Sequence, residues 1–202
     1  MEKCLIIFSR YPEPGKTKTR MIPVLGATGA ANLQRQMTEH TLKQVQQLQQ
    51  FGSVEIEIHF TGGNHQLMSE WLGKNIAYYS QITGDLGKKM EFAFAQAFNR
   101  GKQKVVIIGI DCPDLNSLIL KTAFVALQQQ DLVLGVAEDG GYYLIGLNRL
   151  VPELFKNISW GSGRVLAQTE AIAKQLGLNI GYLPQLRDID RPEDLSIWQK
   201  YQ

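Results

Sequence analysis

The sequence predicts an α/β protein built on a mixed, mostly parallel sheet flanked by helices, and three observations predict it. Short apolar runs alternate with longer helical patterns, the rhythm of strand and crossover helix. The strongest run, VVIIGI at 105–110, is continuous rather than alternating, as in a strand covered on both faces. Finally, DLVLGVA (131–137) and GYYLIGL (141–147) are separated by only three residues, too few for a helical crossover, so they flank a turn or belong to different parts of a mixed sheet. At 202 residues the chain is expected to form one domain, 1–202.

Taken in order, CLIIFS (4–9) reads as the first buried strand. From Ala30 to Gln50, apolar side chains at Leu33, Met37, Leu42, Val45 and Leu48 recur with helical spacing among glutamines. VEIEIHF (54–60) alternates as a strand and is ended by Gly62 and Gly63. A short helix at 67–72 and a strand at 76–81 follow. Met90, Phe94, Ala97 and Phe98 share one side of a helix over 86–99. Beyond the 105–110 strand the pattern predicts a helix over 117–130, the two strands above, a helix over 162–176 and a strand at 179–184. Pro192, with Glu193 and Asp194 after it, opens a last short helix.

With 21 Lys+Arg against 19 Asp+Glu, the net charge of +2 gives no chain-wide basic footprint for nucleic acid, so anion binding must be local. Cys4 and Cys112 sit in or beside apolar runs and read as buried thiols of a reduced, cytoplasmic protein. No apolar stretch reaches the length of a membrane span, and the first residues lack a signal peptide's pattern. Neither His40, His59 nor His65 has ligand spacing, and no serine sits in a nucleophile elbow.

Candidate chemistry lies in the loops. Within SRYPEPGKTKTR (9–20), PGKT (14–17) is the tail of a phosphate-binding P-loop, but Arg10 stands where that motif needs its first glycine, and no dinucleotide fingerprint follows the first strand. What remains is Lys16, Lys18 and Arg20 clustered after a strand, either a phosphate site or a solvated basic loop. Asp111, past the central strand, is placed for a cation in a cleft, and Mg²⁺ suits it because Mg²⁺ takes one or two carboxylates together with waters and substrate phosphates. Asp114 reads equally as a cap or turn former. Asp188 and Asp190, two apart, face one way in extended backbone, so either can complete a metal site, with capping of the Pro192 helix as the alternative for Asp190. Asp139 precedes Gly140 and Gly141, a pair that suits either close approach to a ligand or a plain β-turn.

SRYPEPGKTKTRM, QITGDLGKKM (81–90), GIDCPDL (109–115), EDGGYYLIGL (138–147), the tryptophan of SWGSG (159–163) and DIDRPEDL (188–195) together resemble the ordered motifs of the DUF2064 family. That family is similar to glycosyltransferases of the A-type, or nucleotide-diphospho-sugar transferase, fold, and includes members labelled arsenosugar biosynthesis glycosyltransferase. The resemblance implies that Lys16, Lys18 and Arg20 hold nucleotide phosphates, with Gly84, Asp85 and Gly87 as another cleft loop. It further implies that Asp111, with Asp188 or Asp190, holds Mg²⁺ or Mn²⁺, and that Asp139, Gly140 and Gly141 line the sugar or acceptor side. The implied reaction is metal-dependent glycosyl transfer from a nucleotide sugar to a small-molecule acceptor. Nucleotidyl transfer from a nucleoside triphosphate to a phosphorylated acceptor, and nucleotide binding without catalysis, are the alternatives. The sequence departs from the family pattern at Met21, Lys89, Ile110, Val136, and Gly161 with Ser162.

Overall fold

A computed structural model describes residues 2–201. Strand β1 (Lys3–Arg10) is the continuous apolar run seen in the sequence, and it is flanked by β2 (Glu55–Thr61) and β4 (Lys104–Ile108), both parallel to it. β3 (Ala77–Ser80) adds in parallel to β2. On the other side, β5 (Leu132–Ala137) and β6 (Tyr142–Leu147) form a hairpin, and β6 pairs antiparallel with β4 as well. β7 (Ile180–Leu186) runs parallel to β5, so the order is β3-β2-β1-β4-β6-β5-β7 and β6 alone is reversed.

Alternation along the central strands divides the core between two faces. Leu5 and Ile7 of β1 and Val106 and Ile108 of β4 pack under α1 (Ile22–Leu48), α2 (His65–Leu72), α4 (Ser117–Ala126) and the short α6 (Leu195–Trp198). Cys4, Ile6, Val105 and Ile107 pack under α3 (Leu86–Asn99) and α5 (Val165–Gln175). Each fully buried Leu or Ile here contributes about 1.5–3 kcal/mol relative to exposure. Both cysteines are buried and free, and burial pushes both thiols up.

Three helix bounds differ from the sequence expectation for local reasons. α1 starts earlier, because Pro23 opens a first turn that Gly26 (φ 69, ψ 169) interrupts before the main helix begins. α4 stops at Ala126, after which Gln128 and Gln129 bond back in tight turns. α5 starts only at Val165, because Ser162 donates to Ser159 O and closes a turn instead. Among the described residues, no helix is long and apolar enough to cross a membrane.

Candidate active site

The strands β1, β2, β3, β4, β5 and β7 all end at one edge of the sheet, and β6 begins there, the edge where ligands bind in open α/β sheets. A cavity of about 540 Å³ opens on that edge. Its lining includes the charged side chains of Arg20, Lys89, Asp111, Asp139 and Asp188 and the apolar side chains of Leu86, Met90 and Trp160. Ser9, Arg10, Thr61 and Gln81 line a polar end formed by the tips of β1, β2 and β3. A second, mainly polar recess of about 390 Å³ shares Arg20, Asp139, Gly161, Ser162 and Asp188 with the first and adds Glu138, Arg187, Asp190 and Arg191.

Asp111 lies past the end of β4, half-exposed, with its backbone oxygen accepting Ile189 N at 2.8 Å. Lys18 turns inward to meet it: only 6% of its side chain is exposed, and Nζ donates to Asp111 Oδ1 at 2.7 Å and to Ile189 O. Lys18 adopts left-handed backbone (φ 45, ψ 44), uncommon outside glycine and a mark of constrained loops. Asp188 is half-buried. Burial, then the Asp139, Asp111 and Asp190 carboxylates, push it above the usual carboxylate range. Burial, then Asp111, Asp188 and Asp139, raise the neighbouring Cys112 thiol.

Asp139 sits in the β5–β6 turn, where Oδ1 accepts Gly141 N at 2.8 Å, and it also lines the cavity. Gly140 (φ 87) allows the turn to meet the 161–163 loop, since a Cβ there would lie 2.3 Å from Gly163 O. Gly140 O in turn accepts Leu166 N at the start of α5.

The remaining candidates separate. Arg20 lines both cavities and pairs with Asp190 across a largely exposed surface. Asp190 lines only the polar recess. The cap expected of Asp190 is made by Asp194 instead, whose Oδ2 accepts Arg191 N (2.9 Å) and Asp190 N (3.2 Å). Lys16 points to solvent and pairs with Glu13 at 2.7 Å, outside both cavities. Asp85 caps α3, accepting Lys88 N at 2.9 Å. Gly87 gives room to Trp160: a Cβ would sit 2.7 Å from its Nε1. Gly84, Asp85 and Gly87 therefore shape a wall rather than line it. Asp114 accepts from Tyr201 Oη, and Asn116 caps α4. His59 is a core residue bonded to buried Glu57, and His40 bonds Pro113 O. Ser9, Arg10, Thr61, Gln81 and Trp160 are among the cavity residues the sequence left without a role; the position of Arg10 at the end of β1 was the available signal for it.

Among the described residues, no group of three or more His, Cys, Asp or Glu side chains is gathered closely enough to enclose a metal ion. Asp111 and Asp188 nevertheless offer two carboxylates to one open cavity, the donor type and number that Mg²⁺ or Mn²⁺ accepts when waters and phosphate oxygens supply the rest.

Residues 42–162 match the model of a family described as an uncharacterized protein conserved in bacteria, DUF2064. A candidate nucleotide-diphospho-sugar transferase from Desulfovibrio desulfuricans G20 is 33% identical, with a TM-score of 0.92 over 99% of this chain and 87% of that one. The chain belongs to the DUF2064 family. This DUF2064 protein has the A-type glycosyltransferase fold, and more distant solved structures share it. One is 4-diphosphocytidyl-2C-methyl-D-erythritol synthase from Anaerococcus prevotii DSM 20548 (11% identity, TM-score 0.63, 99% and 96% of the chains). Another is a CMP:2-keto-3-deoxy-manno-octonic acid synthetase complexed with CTP (10%, 0.63, 98% of each chain). No curated protein matches the sequence.

Proposed function

We propose that this protein is a transferase that moves a sugar from a nucleotide-activated donor to a small acceptor, with Asp111 and Asp188 holding Mg²⁺ or Mn²⁺. The observation that carries this reading is the meeting of Asp111, Asp139, Asp188 and Arg20 on one cavity at the ligand-binding edge of the sheet. Likeness to a candidate nucleotide-diphospho-sugar transferase at 33% identity supports it. Asp188 fits the ligand role because a dication would relieve the repulsion that now disfavours its charge. When bound, the cation would supply positive charge against a leaving diphosphate.

The protein's own groups complete the task. The Arg20–Asp190 pair is exposed, and such pairs contribute only about 0–1 kcal/mol, so the Arg20 fork can exchange Asp190 for a phosphate at little cost. Lys18 stays on Asp111 Oδ1 and fixes that carboxylate rather than serving as a mobile phosphate ligand. Asp139, held by Gly141 N through one oxygen, can orient an acceptor hydroxyl or take its proton through the other.

Thermal stability in the presence of nucleotides tests this. With saturating nucleotide sugar and Mn²⁺, ligand at about 100 times its Kd adds about 2.7 kcal/mol, roughly 5–10 °C at this chain length. The metal-dependent part should vanish in Asp111→Ala. Turnover releasing a nucleoside diphosphate supports glycosyl transfer. Pyrophosphate release would replace it with nucleotidyl transfer, binding without turnover would make the protein a nucleotide-binding one, and no shift with any nucleotide would end the reading.

A further inference from the structure

Trp160 lines the cavity together with Leu86 and Met90, and Arg20, Asp111, Asp139 and Asp188 line the same cavity. Trp160 packs against the core beneath α3 and α5 while staying only partly buried. Its place is fixed from several directions. Gly87 lets α3 approach the indole more closely than any side chain would allow, a Cβ falling 2.7 Å from Nε1 and 2.8 Å from Cζ2. Gln168 accepts Ser159 N at 2.8 Å, and Ser162 Oγ donates to Ser159 O at 2.7 Å. The Gly140–Gly163 contact then ties this loop to the turn that carries Asp139. A firmly held indole and a carboxylate thus line the same cavity.

We propose that Trp160 is a stacking platform for a hexopyranose ring, whose apolar C–H face lies on the indole while Asp139 accepts hydrogen bonds from its hydroxyls. The electron-rich face of an indole attracts the positively polarised C–H groups of a sugar, and a carboxylate beside the ring rewards hydroxyl donors at its rim. Position selects a sugar over a nucleobase. Gly161 and Ser162, next to Trp160 in the chain, line both cavities with Asp139 and Asp188, so the platform adjoins the acidic centre, where the ring next to a diphosphate would lie. A base is separated from that point by ribose and phosphate, and the polar end formed by Ser9, Arg10, Thr61 and Gln81 has the hydrogen-bonding groups to receive it. The proposal rests on the transferase reading for which molecule brings the sugar and for where its diphosphate lies.

The test is a ¹H–¹⁵N correlation spectrum of the indole N–H groups. The chain has three tryptophans, and Trp160→Phe identifies the Trp160 signal by its loss. Methyl hexopyranosides are titrated against free nucleosides. The expected result is a saturable shift of the Trp160 indole with at least one hexoside and none with nucleosides. Trp160→Ala should weaken that hexoside roughly tenfold, read on backbone amides of the 159–163 loop, while Trp160→Phe retains most of the affinity. Unmoved Trp71 and Trp198 signals in both variants certify the fold. No Trp160 shift with any hexoside at its solubility limit, or a shift with nucleosides instead, overturns the proposal. Failure of nucleotides to stabilise the protein would overturn the transferase reading alone, leaving the hexoside result to stand or fall by itself.

Discussion

Asp188 is where stability and function pull apart. Its folded affinity for protons is raised, first by burial and then by Asp139, Asp111 and Asp190, so its negative charge costs stability at neutral pH. That cost is relieved as pH falls through the raised value and the group takes up a proton. Asp188→Asn should therefore raise the melting temperature of the ligand-free protein by roughly 1–3 °C at neutral pH. The gain should shrink at acid pH, where the wild-type residue is already protonated, and Mn²⁺-dependent stabilisation should be lost. A variant less stable than wild type at neutral pH would mean that the carboxylate makes a favourable contact that outweighs the repulsion. At this scale the sequence located Asp111, Asp139 and Arg20 at the cavity but could not divide labour within clusters. Of three clustered cations, Lys18 turns inward to a partner far along the chain, Lys16 stays in solvent, and Arg20 faces the cavity. Spacing carries no record of a left-handed backbone at Lys18 or of an oxygen supplied by Ile189.

Two turns, rather than two side chains, hold the Asp139 side of the cavity together. The β5–β6 turn and the 161–163 loop touch through backbone at Gly140 and Gly163, and Gly140 O also receives α5's first turn. Gly140→Ala would bring a Cβ against Gly163 O in a backbone conformation that L side chains rarely adopt. It should cost about 2–3 kcal/mol, read as a lower melting temperature, and should displace Asp139 enough to cut turnover more than nucleotide binding. Loss of stability with unchanged kinetics would show that the contact is only structural. Elements were legible where local chemistry and periodicity agree: α3 keeps its expected bounds because Asp85 caps a cleanly amphipathic run. They were not where a glycine or a turn interrupts a continuing pattern, as at Gly26 and beyond Ala126. The paired glycines at 140 and 141 announced a close approach, but its partner is the protein's own backbone.

Across the whole molecule, the last segment in the chain closes the site assembled by the first. Ile189 is bonded to Asp111 through its N–H and to Lys18 through its carbonyl, and Arg20 reaches Asp190. This strap is held in turn by the C-terminal aromatic side chains beyond it. Trp198, 4% exposed, packs edge-on against His40 at 5.8 Å, and Tyr201 donates to Asp114. The fold class was legible because apolar runs and helical periods alternate with their full lengths. The strand order was not, since nothing in the period of β6 says that it inserts antiparallel between β4 and β5, and the strap's docking on α1 joins residues too distant for any spacing rule. The dependence can be measured by ending the chain after Asp194. All seven strands lie before that point, so far-UV circular dichroism should remain α/β. Loss of a buried tryptophan and its neighbours should remove about 3–5 kcal/mol, and Asp188 should lose its fixed place beside Asp111, so that Mn²⁺ no longer adds to nucleotide stabilisation. If the truncated chain melts lower yet keeps its full metal response, then Lys18 and Arg20 hold the strap on their own, and α6 serves only to cover the core.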